Sequence, residues 1–191
     1  MMENEVCDQN FEDKDFSSQK IVDVSYENCN FDSCNFTNVD FSRSIFRECN
    51  FNCCNMSNTN VSNTSFQEVE FHECKMIGID FSSCRDIIFD IKAINSTLQY
   101  CLFHDMQMKN TEFRECKILE SEFINSNLEM SIFCDSNLKG SIFKKSNLSK
   151  VDFTNAKNYY IDPTDNNLKN AKFSTPDVFA LLSGFGILID K

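Results

Sequence analysis

The sequence predicts an all-β chain wound into a square coil, and two observations lead there. Large apolar residues recur every five positions. In "DFSRSIFRECNFNCCNMSNT", residues 40–59, they stand at 41, 46, 51 and 56, each followed three places later by a small residue: Ser44, Cys49, Cys54 and Thr59. Composition also leaves little room for loops, with 4 Gly and 2 Pro in 191 residues. Five residues along an α-helix rotate by about 500°, so successive Phe side chains cannot share a buried face. On a straight strand, positions five apart fall on opposite sides. The chain must therefore turn a corner in every repeat, with positions i−2 and i inward, i−1 outward, and i+1 and i+2 making the bend. Four right-angle corners close a coil of about twenty residues.

The elements follow in order. Residues 1–10, "MMENEVCDQN", are acidic and polar, with no pattern of a cleavable signal. Residues 11–173 carry the coil. From Phe11 to Phe81 none of the fifteen central positions is polar, and a second register from Ile88 to Phe153 adds fourteen apolar centres. Between Phe81 and Ile88 the step is seven residues, which predicts a two-residue insertion at 84–88 around Arg85, Asp86 and Ile87. Pro163, Leu168 and Phe173 keep the second register, and Asn158 breaks the apolar rule. Seventeen of the 20 Phe residues occupy centres, so stacked Phe and Leu ladders should form the core. At one turn per strand spacing of about 4.8 Å, seven to eight coils give a rod roughly 35 Å long.

Residues 174–191 leave the repeat. Thr175 is the expected N-cap of a helix, with Pro176 in the first turn and Gly184 as the stop. Val178, Phe179, Leu181, Leu182 and Phe185 are too apolar for a lone surface helix, and Ile187, Leu188 and Ile189 can add a short strand. This end is expected to form a homodimer interface through Val178, Phe179, Leu181, Leu182, Phe185, Ile187 and Ile189, or simply to cap the core.

Composition also excludes several function classes. The chain has 18 Lys and Arg against 29 Asp and Glu, which disfavours direct nucleic-acid binding because phosphate recognition needs cations. No apolar run is long enough for a bilayer, so no membrane role is expected and cytoplasm is the default location. Eight of the 11 cysteines, Cys29, Cys34, Cys49, Cys54, Cys74, Cys84, Cys101 and Cys116, fall at position i−2, where a small buried side chain is wanted. Cys53 and Cys134 fall outward and are the candidate reactive thiols. With no CxxC pair, no glycine-rich phosphate loop and two histidines, His72 and His104, on different sides, neither metal, cofactor nor catalysis is expected.

Sorting outward positions by side locates the charge. The side centred on Phe11, Phe31, Phe51, Phe71, Ala93, Phe113, Phe133 and Phe153 carries Glu12, Asp13, Asp32, Glu70, Glu73, Glu112, Glu115, Asp135 and Asp152 against Lys92 and Arg114. The next side, through Phe16, Phe36 and Met56, has Asp15 and Glu120 against Lys75, Lys117 and Lys139. On the other flank, the side through Tyr26, Phe46, Phe66 and Ile88 adds Glu27, Glu48, Glu68, Asp90 and Glu129 against Arg47, Lys109 and Lys150. A rod of duplex width with acids along it can imitate DNA electrostatically; acidity for solubility is the other explanation.

The repeat, a small residue, a polar one, Phe or Leu, then two polar residues, resembles that of the pentapeptide-repeat family, which implies a right-handed quadrilateral β-helix. The tail "IDPTDNNLKNAKFS" with its apolar helix resembles that of quinolone-resistance members of the Qnr type. That resemblance implies a head-to-head dimer that mimics DNA on DNA gyrase and topoisomerase IV and relieves or competes with fluoroquinolone poisoning. Many Qnr proteins carry sizeable loops, and this chain has only its short insertion, so binding without protection stays open. A scaffold or self-immunity protein with another partner is the alternative function.

Overall fold

The computed structural model describes residues 4–85 and 89–187. They form a right-handed quadrilateral β-helix of about eight turns closed by a short helix. Every pairing is parallel and, through most of the chain, joins residues 20 apart: Phe11 lies against Phe31, Phe31 against Phe51, and Phe51 against Phe71. The five-residue period becomes a corner because the backbone at i+2 is left-handed, with φ of 50° at Asp13, 56° at Asn38 and 56° at Asn125. Asn and Asp recur there because their short side chains tolerate that conformation best after glycine. Gly78 and Gly140 occupy it too, at φ 68° and 75°, and a Cβ on Gly78 would stand 2.8 Å from the Asn58 amide oxygen.

Inside, the ladders stack ring on ring. Phe31 lies 4.7 Å from Phe51 at 14°, Tyr26 5.2 Å from Phe46 at 3°, and Phe103 4.8 Å from Phe123 at 3°. Edge-to-face contacts join neighbouring sides, such as Phe41 with Phe46 at 4.9 Å. Offset stacks and T-shaped pairs are both favoured by the ring quadrupole.

Position i−2 proves to want more than a small side chain. Cys49 donates its thiol to the Tyr26 carbonyl at 3.6 Å and Cys74 to that of Phe51 at 3.2 Å. At equivalent places Ser44 reaches Ile21, Thr64 reaches Phe41, and Ser131 reaches Met108. Each donor serves the carbonyl of a central residue one turn earlier, at a corner where satisfying buried backbone matters. The cysteines thus belong to the set Ser, Thr and Cys, small residues that can all donate.

The structure corrects the sequence expectations in four places. The coil begins before residue 11, since Glu5–Cys7 pairs with Ser25–Glu27. At the insertion, Phe66 lies against Phe89 and the register shifts before Val69 meets Ile91. Phe89 therefore fills the position assigned to Ile88; Asp86, Ile87 and Ile88 lie outside the described residues. In the penultimate turn Phe143 lies against Ile161, not Pro163. Asn158 is turned out at φ 59°, and the buried Tyr159 supplies the missing core volume with its ring 5.6 Å from Phe173. Burial pushes the Tyr159 hydroxyl up to about 12, Asp177 adds to the effect, and the hydroxyl has no hydrogen-bond partner among the described residues. The bulge that restores register is closed by Asn166, which donates to the Phe143 carbonyl at 3.0 Å in place of the usual Ser or Cys.

The fourth correction concerns the tail. Its helix is a 3₁₀ helix, Asp177–Phe185, flanked by Pro176 without a side-chain cap and ended by left-handed Gly186. Thr175 is not its N-cap and Gly184 does not stop it. Ala180 and Leu181 pack on the last turn of the core, while Phe179, Leu182 and Phe185 remain exposed. Residues three apart eclipse on a 3₁₀ helix, which aligns 179, 182 and 185 in one outward row.

Candidate functional site

The nine acids assigned to one side do share it. Parallel pairing carries the ladder from Phe11 through Phe71, Ala93 and Phe113, and isolated bridges continue it through Ile132 to Asp152. Their surroundings nevertheless differ. Glu70 binds Lys92 at 3.0 Å and His72 at 3.1 Å, Glu112 binds Arg114 at 2.7 Å, and Asp152 binds Lys172 at 3.3 Å. Lys92 and, after it, His72 hold the Glu70 carboxyl below the usual range. Partial burial works against ionisation of Asp152, yet Thr154 and Lys172 hold its carboxyl down to about 2. Asp135 accepts from the Asn155 amide at 3.0 Å. Glu12, Asp13, Asp32, Glu73 and Glu115 have no cation within ion-pair distance among the described residues, and all are exposed.

Adding the flanking side through Val6, Tyr26, Phe46 and Phe66 divides the rod sharply. In the first four turns these two sides present Glu5, Asp8, Glu12, Asp13, Glu27, Asp32, Glu48, Glu68, Glu70 and Glu73 against Arg47 alone. Beyond the insertion they present Asp90, Glu112, Glu115, Glu129, Asp135 and Asp152 against Lys92, Lys109, Arg114, Lys150, Lys169 and Lys172. Glu129 is clamped between Lys109 at 3.0 Å and Lys150 at 2.9 Å. The acidic surface is a ridge on the N-terminal half, and the C-terminal half is neutralised by its own cations. Glu5 and Asp8 join the ridge because Val6, five residues before Phe11, is itself a centre of the coil and lies against Tyr26.

At the downstream edge of the ridge, along Ser65–His72, a groove of about 380 Å³ is lined by Glu48, Asn50, Glu68, Val69, Glu70, Asp90 and Lys92. Glu48, Glu68 and Glu73 take φ of 51°, 53° and 54°. Glutamate lacks the short side chain that eases this conformation in Asn and Asp, so each sits there against local preference.

The other candidate residues disperse. Phe179, Leu182, Phe185 and Ile187 form the exposed apolar end, Val178 and Leu181 are half-buried beneath it, and Ile189 lies outside the described residues. Arg85 is exposed at the insertion and donates its backbone N–H to Thr64. His72 and His104 pair with Glu70 and Glu122 on separate sides. The outward thiols are not activated: burial and then Glu73 push Cys53 up, and burial and then Asp152 push Cys134 up. Burial takes Cys101 and Cys116 to about 12, in keeping with packing roles. Glu5, Cys7 and Glu27 bring potential ligand atoms within 4.8 Å of one another at the exposed start of the coil. No helix among the described residues is long and apolar enough to cross a membrane.

No curated protein sequence matches the chain. Solved structures resemble it in fold. Trypsin-treated QnrB1, a plasmid-mediated fluoroquinolone resistance protein, superposes with a TM-score of 0.74 over 98% of this chain and 100% of its own, at 18% identity. Full-length QnrB1 gives 0.56 over 96% and 100%, at 17% identity. HetL, a pentapeptide repeat protein involved in heterocyst differentiation regulation in the cyanobacterium Nostoc, gives 0.55 over 88% and 84%, at 10% identity. The family model for the pentapeptide repeat region matches residues 24–93 and 106–178, and with the five-residue ladders behind it this chain belongs to the pentapeptide-repeat family.

Proposed function

We propose that this protein acts by binding, not by catalysis, and that it docks on a type II topoisomerase, DNA gyrase or topoisomerase IV, as an electrostatic imitation of duplex DNA. The observation that carries this reading is the N-terminal ridge, ten acids against one arginine on two adjoining sides. Solubility alone calls for mixed, scattered charge. Three of these acids, Glu48, Glu68 and Glu73, stand at left-handed corners, as Glu115 and Glu120 do beyond the insertion. A groove lined with Lys and Arg to receive DNA would attract such a ridge at long range and lose that attraction in salt. The fold likeness to QnrB1 is in keeping with this partner class, and relief of fluoroquinolone poisoning is the activity proposed with it. Two copies joined through Phe179, Leu182, Phe185 and Ile187 would place a ridge at each far end of a double-length rod.

Gyrase supercoiling with and without ciprofloxacin tests the reading. The protein should inhibit supercoiling at high concentration and, at lower concentration, reduce drug-induced cleavage. Asp13→Lys, Asp32→Lys and Glu73→Lys combined should weaken the effect about 100-fold, on the order of 3 kcal/mol. Glu112, although on the same side, is a poor choice for this test because its loss removes the ion-pair partner of Arg114. Lys75→Glu, Lys117→Glu and Lys139→Glu on the next side should leave the effect intact. Equal behaviour of the two triple variants removes the ridge from the mechanism; no effect of the unaltered protein on either assay favours a different partner.

A further inference from the structure

The inward cysteines of the early turns stand in columns. Cys29 and Cys49 occupy position i−2 of one side in consecutive turns, and Cys34, Cys54 and Cys74 occupy it on the next side in three consecutive turns. The residues that follow them pair in register, Asn30 with Asn50, Asn35 with Asn55 and Asn55 with Lys75. The N–H groups of Asn50, Asn55 and Lys75 donate to the carbonyls of Cys29, Cys34 and Cys54 at 3.0, 3.0 and 2.9 Å. Neighbouring cysteines in a column are therefore one turn apart, about 4.8 Å. All five are 0–2% exposed. Beyond the insertion the pattern differs, since Cys101 stands between Ile79 and Ser121, and Cys116 between Ser96 and Ser136. Serine serves the backbone carbonyl equally well, as at Ser131 and Ser136, so that bond alone does not call for cysteine in consecutive turns.

We propose that each column binds a soft monovalent cation of the copper(I) or silver(I) class, held in line between two stacked thiolates. Thiolates select such ions over harder ones. Two metal–sulfur bonds of roughly 2.3 Å laid end to end span about 4.6 Å, close to the spacing of the turns. Side chains in register point the same way, so the column axis runs nearly at a right angle to each Cβ–Sγ bond, the direction in which a thiolate sulfur binds a metal. Zinc asks for four ligands around it, which a straight column of two or three does not offer. Each ion taken up displaces two thiol protons and leaves one negative charge shared by two sulfurs, with no oxidant or reductant involved. Before loading the thiols are protonated: burial pushes Cys49 up to about 11, and the Cys74 thiol, then burial, pushes Cys54 up. Metal–sulfur bonds replace weak thiol bonds to carbonyls, such as Cys54 to Phe31 at 3.4 Å and Cys74 to Phe51 at 3.2 Å. A CxxC rule does not see these sites, because the coil joins cysteines 20 residues apart.

The test uses the full-length protein with Cys7→Ser, Cys53→Ser and Cys134→Ser, which removes the outward thiols. It is equilibrated with silver nitrate, challenged with a tenfold excess of glutathione, and weighed by native mass spectrometry. Two ions should be retained, one per column, because paired sulfurs already in place outcompete single ones. Cys54→Ser should lose one ion, since Cys34 and Cys74 are then two turns apart. Cys34→Ser and Cys74→Ser should each lose none, since Cys54 keeps a neighbour, and Cys49→Ser should lose the other ion. Serine already occupies this position at Ser131 and Ser136, so the variants should keep the coil, which circular dichroism checks. Equal loss from every replacement, Cys101→Ser and Cys116→Ser included, would reduce uptake to unspecific thiol binding and overturn the columns. Retention of no ion would overturn the sites outright. No topoisomerase enters the measurement, so its outcome is separable from that of the gyrase assays.

Discussion

The first four turns and the last four share one backbone and differ in nearly every side-chain choice. Before the insertion the i−2 donor is most often cysteine, as at Cys29, Cys34, Cys49, Cys54 and Cys74; after it, serine takes over at Ser121, Ser126, Ser131, Ser136, Ser141 and Ser146. Aromatic rings line all four sides early, whereas two late sides are built from Leu98, Ile118 and Leu138 and from Met108, Leu128 and Leu148. On the two acidic sides the early outward positions carry ten acids against Arg47, whereas the late ones balance six acids with six cations and pair Glu112, Glu129 and Asp152 directly. The contrast teaches what the coil requires and what it leaves free. It requires an apolar centre, a buried residue two places earlier that is most often a small donor but is Val39, Val69, Ile79 or Met106 elsewhere, and in nearly every repeat a left-handed corner two residues later. Everything pointing outward is available for another purpose, and only the early half has used that freedom to concentrate one sign of charge.

The largest expected difference lies in the core. Phe46 is fully buried, with Tyr26 and Phe66 stacked at 5.2 and 5.5 Å and Phe41 edge-on at 4.9 Å. Phe46→Ala removes those contacts along with the buried volume, at a cost of about 3–5 kcal/mol. Leu128 is equally buried, and Leu128→Ala should fall at the lower end of the aliphatic range of about 2–5 kcal/mol. Urea unfolding followed by circular dichroism measures both. Because each turn touches only its neighbours, the Phe46 variant should also lose its N-terminal half first. Equal losses in the two variants would mean that ring stacking adds nothing beyond volume.

This division explains how far the sequence alone could be read. The period of five gives most of the centres, seven of the eight inward cysteines and the side of all nine acids by counting; Cys84, at the insertion, is only half-buried and precedes no centre. Counting fails where residues are inserted or withdrawn. Phe89 replaces Ile88 and Ile161 replaces Pro163 because a buried ring or branched chain outweighs strict spacing, and no local signal announces the slip. The hydrogen bonds of i−2 are visible only across a turn, between residues 23 apart, such as Ser131 and Met108. Which acids are neutralised was also hidden, since Glu70 meets Lys92 through a shifted register and Asp152 meets Lys172 from the turn after it.

An intermediate effect distinguishes structural acids from free ones. Asp152 ionises at about 2 in the folded chain against an ordinary 3.8. Its lowered value makes the carboxylate a stabilising group above the ordinary pKa, and that stabilisation is lost as pH falls through the folded one. Asp152→Asn should therefore cost on the order of 1 kcal/mol at neutral pH, after allowance for solvent screening, and the deficit should close between about pH 4 and pH 2. Asp32→Asn, on the same side in the acidic half, should change stability by no more than about 0.5 kcal/mol at neutral pH. Melting curves at stepped pH give both. A pH-independent deficit for Asp152→Asn would assign the loss to its bonds with Thr154 and not to its charge.

The smallest effect sharpens the comparison most, because it sets stability against binding at the same residues. Glu48, Glu68 and Glu73 hold left-handed corners at φ 51–54°, where Asn is found at positions 28, 38, 58 and 63. Asparagine eases that conformation, so Glu48→Asn, Glu68→Asn and Glu73→Asn should each stabilise the coil by about 0.5–1 kcal/mol. Each also deletes a charge from the ridge. The triple variant should accordingly melt at a higher temperature and bind gyrase less well, a pairing expected when local preference has yielded to function. Lys145 provides the control from the other half: it is exposed at φ 53°, and Lys145→Asn should give the same gain per site with no change in binding. Differential scanning calorimetry and a salt-dependent binding titration decide the matter. If the three glutamates can be replaced without any gain in stability, their corners impose no cost. The acidic half would then need no explanation beyond solubility.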